Sequence, residues 1–177
     1  DQENQNQNVA GLRIRVPASV ANLGPGFETV AIAIKQYLNV TVQVRPPQKG
    51  HGPKITNVGP IASQLASDNT NLIAKVIAEV WPQDPALLSC LNLSIESEIT
   101  PGTGMGFSAA ATTVGVTAAM ALGGIQLEKG RIFSEAAKLE SNTANSGASI
   151  FGGFMICAPN IVPGDILARK LVWPENW

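Results

Sequence analysis

Apolar and polar residues alternate along Leu12-Arg-Ile-Arg-Val16, the two-residue period of a half-buried strand, and Pro17 is expected to end it. Residues 17–27 are too rich in glycine and proline for a regular element. They are also too apolar for a solvated loop, so they should lie against other parts of the protein. Two further strands are expected over 28–34 and 37–45, the second alternating cleanly at Leu38, Val40, Val42 and Val44. The stretch 46–60 reads as turn-rich. Asp68-Asn-Thr-Asn71 then offers N-cap side chains to a helix over 72–80, with apolar residues at 72, 73, 76, 77 and 80 and with Pro82 and Pro85 closing it.

Leu91, Leu93 and Ile95 alternate with Asn92, Ser94 and Glu96 in another half-exposed strand. It runs into Ile99-Thr-Pro-Gly-Thr-Gly-Met-Gly-Phe-Ser-Ala-Ala-Ala111, where glycines alternate at 102, 104 and 106. The small residues that follow predict a helix over 106–122, with Gly123-Gly124 as its C-cap. A second amphipathic helix is expected from 128 to 139 or 140, burying Ile132, Phe133, Ala136 and Leu139. Residues 141–149 are small and polar with no element assigned, and 150–157 read as a short turn into a buried strand. The last twenty residues carry three prolines and complete no element. No internal repeat is visible. Strands come first and helices are interspersed later, without a regular βαβ rhythm, which predicts an α+β fold rather than a doubly wound α/β one.

Composition narrows the chemistry. The 177 residues fit one domain with a real core, and 45% hydrophobic against 14% charged residues describes a globular protein. A net charge of −1, no basic cluster and 5% aromatic residues argue against a nucleic-acid partner. No stretch approaches the ~20 apolar residues of a membrane span. Cys90 and Cys157 stand far apart with no metal-binding spacing, and read as reduced core thiols rather than a disulfide. His51 is the sole histidine, so a histidine triad or a zinc site lacks its raw material. Residues 1–10 read as a disordered polar arm and not as a signal peptide. Asn39 and Asn92 match a glycosylation pattern that chance produces often.

The glycine loop is the candidate site. Bare backbone N–H groups at a helix start, with the helix dipole behind them, favour an anion such as a nucleotide phosphate. No lysine follows the glycines, which excludes the Walker loop. Gly104-Met-Gly106-Phe-Ser-Ala109 satisfies the dinucleotide pattern GxGxx[GA], but no second strand with a terminal acid follows, as that fold requires. A tight turn into a closely packed helix, with no ligand, is the remaining reading of these residues.

Two stretches together carry a resemblance. Val16-Pro-Ala-Ser-Val-Ala-Asn-Leu-Gly-Pro-Gly-Phe-Glu28 resembles the first motif of homoserine kinases of the GHMP small-molecule kinase superfamily, PASSANLGPGFD. Pro101-Gly-Thr-Gly-Met-Gly-Phe-Ser-Ala-Ala-Ala111 resembles the second, P-x-x-x-G-L-G-S-S-A-A. The resemblance implies a GHMP-type N-terminal domain over 11–160 and an ATP- and Mg²⁺-dependent kinase phosphorylating the side-chain hydroxyl of L-homoserine, a step of threonine biosynthesis. It implies that Pro101, Gly102, Thr103, Gly104, Met105, Gly106, Phe107, Ser108, Ala109, Ala110 and Ala111 wrap the ATP phosphates. Ser108 and Glu140 would serve the metal, and Asn22, Glu28 and Asn145 the amino acid. It assigns no catalytic residue, and it implies a cytoplasmic enzyme, or a plastid one in a plant, with no transit peptide in this sequence.

The sequence also departs from those kinases. Glu28 replaces an aspartate, Phe107 replaces the leading serine of the second motif, and the segment after Glu140 is shorter, with Ala144 where an aspartate is expected. Residues 161–177 read as the start of a link to a second α+β domain that the 177 residues lack. A domain without that neighbour should expose apolar surface and associate, a homodimer included. The alternative implied by the departures is a degenerate, non-catalytic relative that binds nucleotide or a partner. Another acceptor of the superfamily, mevalonate or a sugar, is a third reading.

Overall fold

The computed structural model describes residues 11–46, 52–81, 88–159 and 166–172. The arm at 1–10, His51, Pro82, Pro85 and residues 161–165 and 173–177 of the expected link lie outside them. The described residues form an α+β fold, a mixed sheet with helices packed on one face.

Strand β1, Leu12–Ala21, pairs antiparallel along the length of β2, Val30–Val44. Pro17 was expected to stop β1, and it does not. The register shifts between Pro17 and Ala18, and the strand continues to Ala21. Proline removes a ladder donor, and a β-irregularity is where a strand tolerates that loss. The two strands expected at 28–34 and 37–45 are likewise one. Pro17 faces Tyr37 and Ala18 faces Ile34, so Lys35 and Gln36 are the extra residues of the irregularity. Across this irregularity the buried positions of β2 change from odd-numbered Ala31 to even-numbered Leu38, Val40 and Val42, which is why one strand reads as two.

The opposite edge of β2 is shared. Its C-terminal half pairs with β4, Leu91–Ser97, and Val30–Ile32 pair with β5, Phe154–Pro159. Outside β4 lies β3, Lys54–Val58, added in parallel. This strand corrects the turn-rich reading of 46–60: of its five residues Ile55 alone is buried, too weak a signal to show as a pattern. At the other end β6, Ile166–Leu171, pairs antiparallel with β5, so the final segment does complete an element.

Helix α1, Leu72–Val80, starts as its cap residues predict. The Asn71 side chain accepts from the N–H groups of Ile73 and Ala74 at 3.0 and 3.4 Å. The central helix α2, Phe107–Leu122, is buried nearly all round. Its small side chains let it lie between the sheet with α1 on one side and the remaining helices on the other. Those are α3, Lys129–Leu139, and α4, Thr143–Phe151. Helix α4 corrects the absence of an element at 141–149. Its Thr, Asn, Ser and Gly residues are poor helix formers, but burial of Ala144, Ala148 and Ile150 against α2 and α3 overrides propensity. The core therefore has two parts. The first holds Ile14, Val16, Leu38, Val40, Leu93 and Ile95 under α1 and α2, and the second holds Met120, Phe133, Ala148 and Met155. Arg13, Arg15, Ser94 and Glu96 point away from the helices and are exposed.

Cys157 sits in the second core at 1% exposure, and neither cysteine forms a disulfide. Burial pushes the Cys157 thiol up from 9.0 to about 11. Above pH 9 the unfolded chain gives up this proton while the folded protein keeps it. The stabilisation is thus complete below pH 9 and lost as pH rises to about 11. Urea unfolding across that window should show stability falling more steeply in the wild type than in Cys157→Ala. Equal slopes would contradict the assignment.

Candidate functional site

The site begins where β4 gives out. The Ser97 hydroxyl accepts from the Ile99 N–H and donates to the Ile99 carbonyl, each at 3.0 Å, which turns the chain off the sheet. Thr103 then donates to the Thr100 carbonyl at 2.7 Å. Gly102, Gly104 and Gly106 all lie in the left-handed region, at φ of 78°, 76° and 68°. A backbone alternating into that region forms a concave row of N–H groups suited to anions. Gly106 is the N-cap of α2 and supplies no side-chain cap, so the first N–H groups of the helix have no partner from a capping side chain. A Cβ added at Gly102 or Gly104 would meet open space.

The loop is pressed onto β1. The Ser19 N–H donates to the Met105 carbonyl at 3.1 Å, and a Cβ on Gly106 would run into Ser19. Ser19 is fully buried, and its hydroxyl lies 3.5 Å from that of Ser149 on α4. The two stretches that carry the resemblance, far apart in sequence, therefore touch through Ser19 and Met105–Gly106.

Beside the loop, α2 and the end of α3 meet. Ser108 Oγ donates to Glu140 Oε1 at 2.6 Å, and Thr112 Oγ1 donates to the same oxygen at 2.7 Å. Ser108 is exposed on the first turn of α2, Thr112 is buried one turn further along, and Glu140 is the C-cap of α3. Ser108 and Glu140 were candidates from the sequence. Thr112 was not, although its i+4 spacing from Ser108 is the signal that puts both hydroxyls on one helix face. No cluster of three or more His, Cys, Asp or Glu residues occurs among the described residues. A divalent cation here would be held by one carboxylate, a hydroxyl and ligand oxygens, the hard donor set that suits Mg²⁺.

The other candidates have structural partners of their own. Asn22 and Glu28 both adopt positive φ, 60° and 55°, at the ends of the exposed β1–β2 loop. Asn22 Oδ1 accepts the Glu28 N–H at 2.7 Å, and the Asn22 N–H donates to the Val30 carbonyl at 3.1 Å. Asn22 thus pins the loop with its carbonyl oxygen and leaves its amide N–H groups for other acceptors. Asn145 lies in the first turn of α4, its N–H on Asn142 Oδ1 at 3.2 Å. Its own Oδ1 is buried and has no partner, as is Ser146 Oγ. A buried orphan acceptor is costly, and a ligand donor would satisfy it. Ala144, by contrast, is packed into the second core.

Phe107 packs partly buried against the first core. With Pro101 and Ala111 it also lines a groove of about 190 Å³ that Leu65, Asn71 and Leu72 complete from the far side. Near this groove Asp68 accepts the Thr70 hydroxyl at 2.6 Å and the Thr70 N–H at 2.9 Å, and these bonds hold its carboxyl below the usual range.

Residues 71–153 match the family described as GHMP kinases N terminal domain. The homoserine kinase of Clavibacter michiganensis subsp. michiganensis is 34% identical over 147 residues, 82% of this chain and 46% of that protein. That of Corynebacterium kroppenstedtii is 36% identical over 143 residues, 81% of this chain and 45% of that one. A solved chain from Listeria monocytogenes, described as a candidate homoserine kinase, has a TM-score of 0.74 at 27% identity, covering 94% of this chain and 55% of its own. The chain spans about half the length of the curated relatives it matches. No helix among the described residues is long and apolar enough to cross a membrane.

Proposed function

We propose, from the match of residues 71–153 to the GHMP kinases N terminal domain, that this chain is the nucleotide-holding part of a cytoplasmic homoserine kinase. The reaction is transfer of the γ-phosphoryl of ATP to the side-chain hydroxyl of L-homoserine, giving O-phosphohomoserine for threonine biosynthesis. The observation that carries the reading is the meeting of Ser108 and Glu140 at 2.6 Å beside a row of left-handed glycines at a helix N-terminus. Domain boundaries follow from it: 11–160 is the ATP-binding domain and 161–177 begins the link onward.

When bound, ATP would supply the phosphoryl group and Mg²⁺ would neutralise charge on its oxygens. The rest is positioning, which is what phosphoryl transfer chiefly asks of a protein. Backbone N–H groups of 102–109 bind the phosphates with the α2 dipole behind them. Ser108 and Glu140 hold the cation. The groove between Phe107 and Leu72 takes the base, the ring standing where the resemblance expects a serine. The Asn22 amide, Glu28 and the orphan Asn145 Oδ1 face the amino and carboxyl groups of the acceptor. One feature favours the non-catalytic alternative: Ala144, packed in the core, leaves no carboxylate at the position that would assist deprotonation.

Isothermal titration with Mg·ATP and with homoserine, separately, tests both readings. Mg·ATP should bind, and Ser108→Ala and Glu140→Gln should each weaken it about tenfold, the scale of losing a metal-site contact. Nucleotide binding without homoserine binding selects the non-catalytic relative. Absence of nucleotide binding overturns both.

A further inference from the structure

We propose that Thr112 is a positioning residue, whose hydroxyl holds the Glu140 carboxylate in the orientation that receives a divalent cation. The inference rests on the reading that Ser108 and Glu140 serve the metal of a bound nucleotide, and it adds a residue that the motif resemblance does not include.

Three observations lead to it. First, Thr112 Oγ1 reaches Glu140 Oε1 at 2.7 Å from a position only 1% exposed. A hydroxyl in so apolar a stretch costs free energy unless it finds an acceptor. Threonine in a helix usually finds one locally, as Thr117 does by donating to the Thr113 carbonyl at 2.7 Å. Thr112 instead bonds a carboxylate 28 residues away.

Second, the two hydroxyls on Oε1 differ in access. Ser108 is exposed, so its hydroxyl is free to exchange Glu140 for an ion. Thr112 is enclosed by the helix packing, and water cannot stand in for it. Its bond to Oε1 therefore persists whatever Ser108 does.

Third, the backbone of Glu140 is already fixed. It is the C-cap of α3, with φ −110° and ψ 135°, and its N–H is held on the Ala136 carbonyl at 3.1 Å. What remains loose is the side chain, and ordering a free glutamate side chain costs rotamer entropy. A bond from Thr112 removes part of that cost before any cation arrives. Second-layer hydrogen bonds to metal ligands act in this way.

The test compares Mg·ATP with metal-free ATP in EDTA, both by isothermal titration, for wild type, Thr112→Val and Thr112→Ser. Thr112→Val should lower Mg·ATP affinity about tenfold, the typical cost of losing such a partner, and leave metal-free ATP within twofold. Thr112→Ser, which keeps the donor, should match wild type in both. Added to Glu140→Gln, Thr112→Val should cause no further loss. Equal Mg·ATP affinity in wild type and Thr112→Val overturns the proposal and leaves the nucleotide reading standing. So does an equal loss of both forms that serine does not rescue, the mark of a merely structural residue. Wild type binding neither form overturns both. Should Thr112→Val fail to fold, Thr112→Ala serves as the variant without a donor, judged by the same comparison.

Discussion

Gly106→Ala should lower the melting temperature by roughly 10 °C, at about 2–4 °C per kcal/mol for a chain of this size. It should also abolish nucleotide affinity. Two costs add. At φ 68° an L-residue occupies the left-handed region, which costs roughly 1–2 kcal/mol. The new Cβ would also collide with Ser19, lying 2.8 Å from its carbonyl oxygen and 3.2 Å from its nitrogen. The Ser19 hydroxyl, met closer still, could swing aside, but the carbonyl and nitrogen are backbone atoms of a fully buried residue whose N–H holds the loop at Met105, and they cannot. Overpacking of that kind costs about 1–3 kcal/mol. Gly102 and Gly104 are the internal control. They share the positive φ, but a Cβ there meets nothing within 4 Å, so alanine should cost only the backbone strain of about 1–2 kcal/mol. Thermal melts followed by circular dichroism decide the matter. A Gly106→Ala protein melting with the Gly102 and Gly104 variants would mean that the loop is not pressed on β1.

Gly115→Ala sets two effects against each other. Within a helix, alanine is favoured over glycine by about 1 kcal/mol. A Cβ at 115 would, however, lie 2.6 Å from both Cβ and Cγ1 of Val76 and 3.2 Å from the Ile73 carbonyl oxygen. Val76 is β-branched and buried on α1, so α1 as a whole has to move away from α2. Overpacking at the upper end of about 1–3 kcal/mol then outweighs the propensity gain, for a net loss of about 2 kcal/mol in urea unfolding. Val76→Ala in the same chain should restore part of it, because it removes Cγ1, one of the two Val76 atoms in collision, while the Cβ stays. Independent, additive losses from the two substitutions would refute this packing.

Much of the candidate site was legible because its signals are local. Alternating glycines, a small-residue helix start, and a serine and a glutamate at motif positions can be read without knowing what they touch. Asn71 as a helix cap is of the same kind. Thr112 was not legible, because it lies among alanines and valines as one more small helical residue. Only the approach of α3 to α2 gives its hydroxyl an acceptor. Asn22 was read as a pocket residue, and its carbonyl oxygen is committed to the Glu28 N–H.

The misread elements share one cause. Pro17, the 35–36 interruption, β3 and α4 are all places where the local pattern is weak or broken and a neighbour supplies the missing stabilisation. Residues 12–21 become one strand because β2 lies along them and absorbs the irregularity opposite Pro17. Residues 143–151 become a helix because their small faces fit α2 and α3.

By itself the sequence determined the fold class, the strands and helices with strong periodicity, and the loop whose glycines reach the left-handed region at little cost. Each depends on interactions within a few residues of chain, and such interactions leave a period or a motif. Only the tertiary structure decided that Ser19 holds the loop, that β2 serves three strands at once, and that two hydroxyls from α2 converge on Glu140. These depend on which distant surfaces come together. Contact between distant surfaces is set by the shape and volume of the packed elements, which no short stretch of sequence carries.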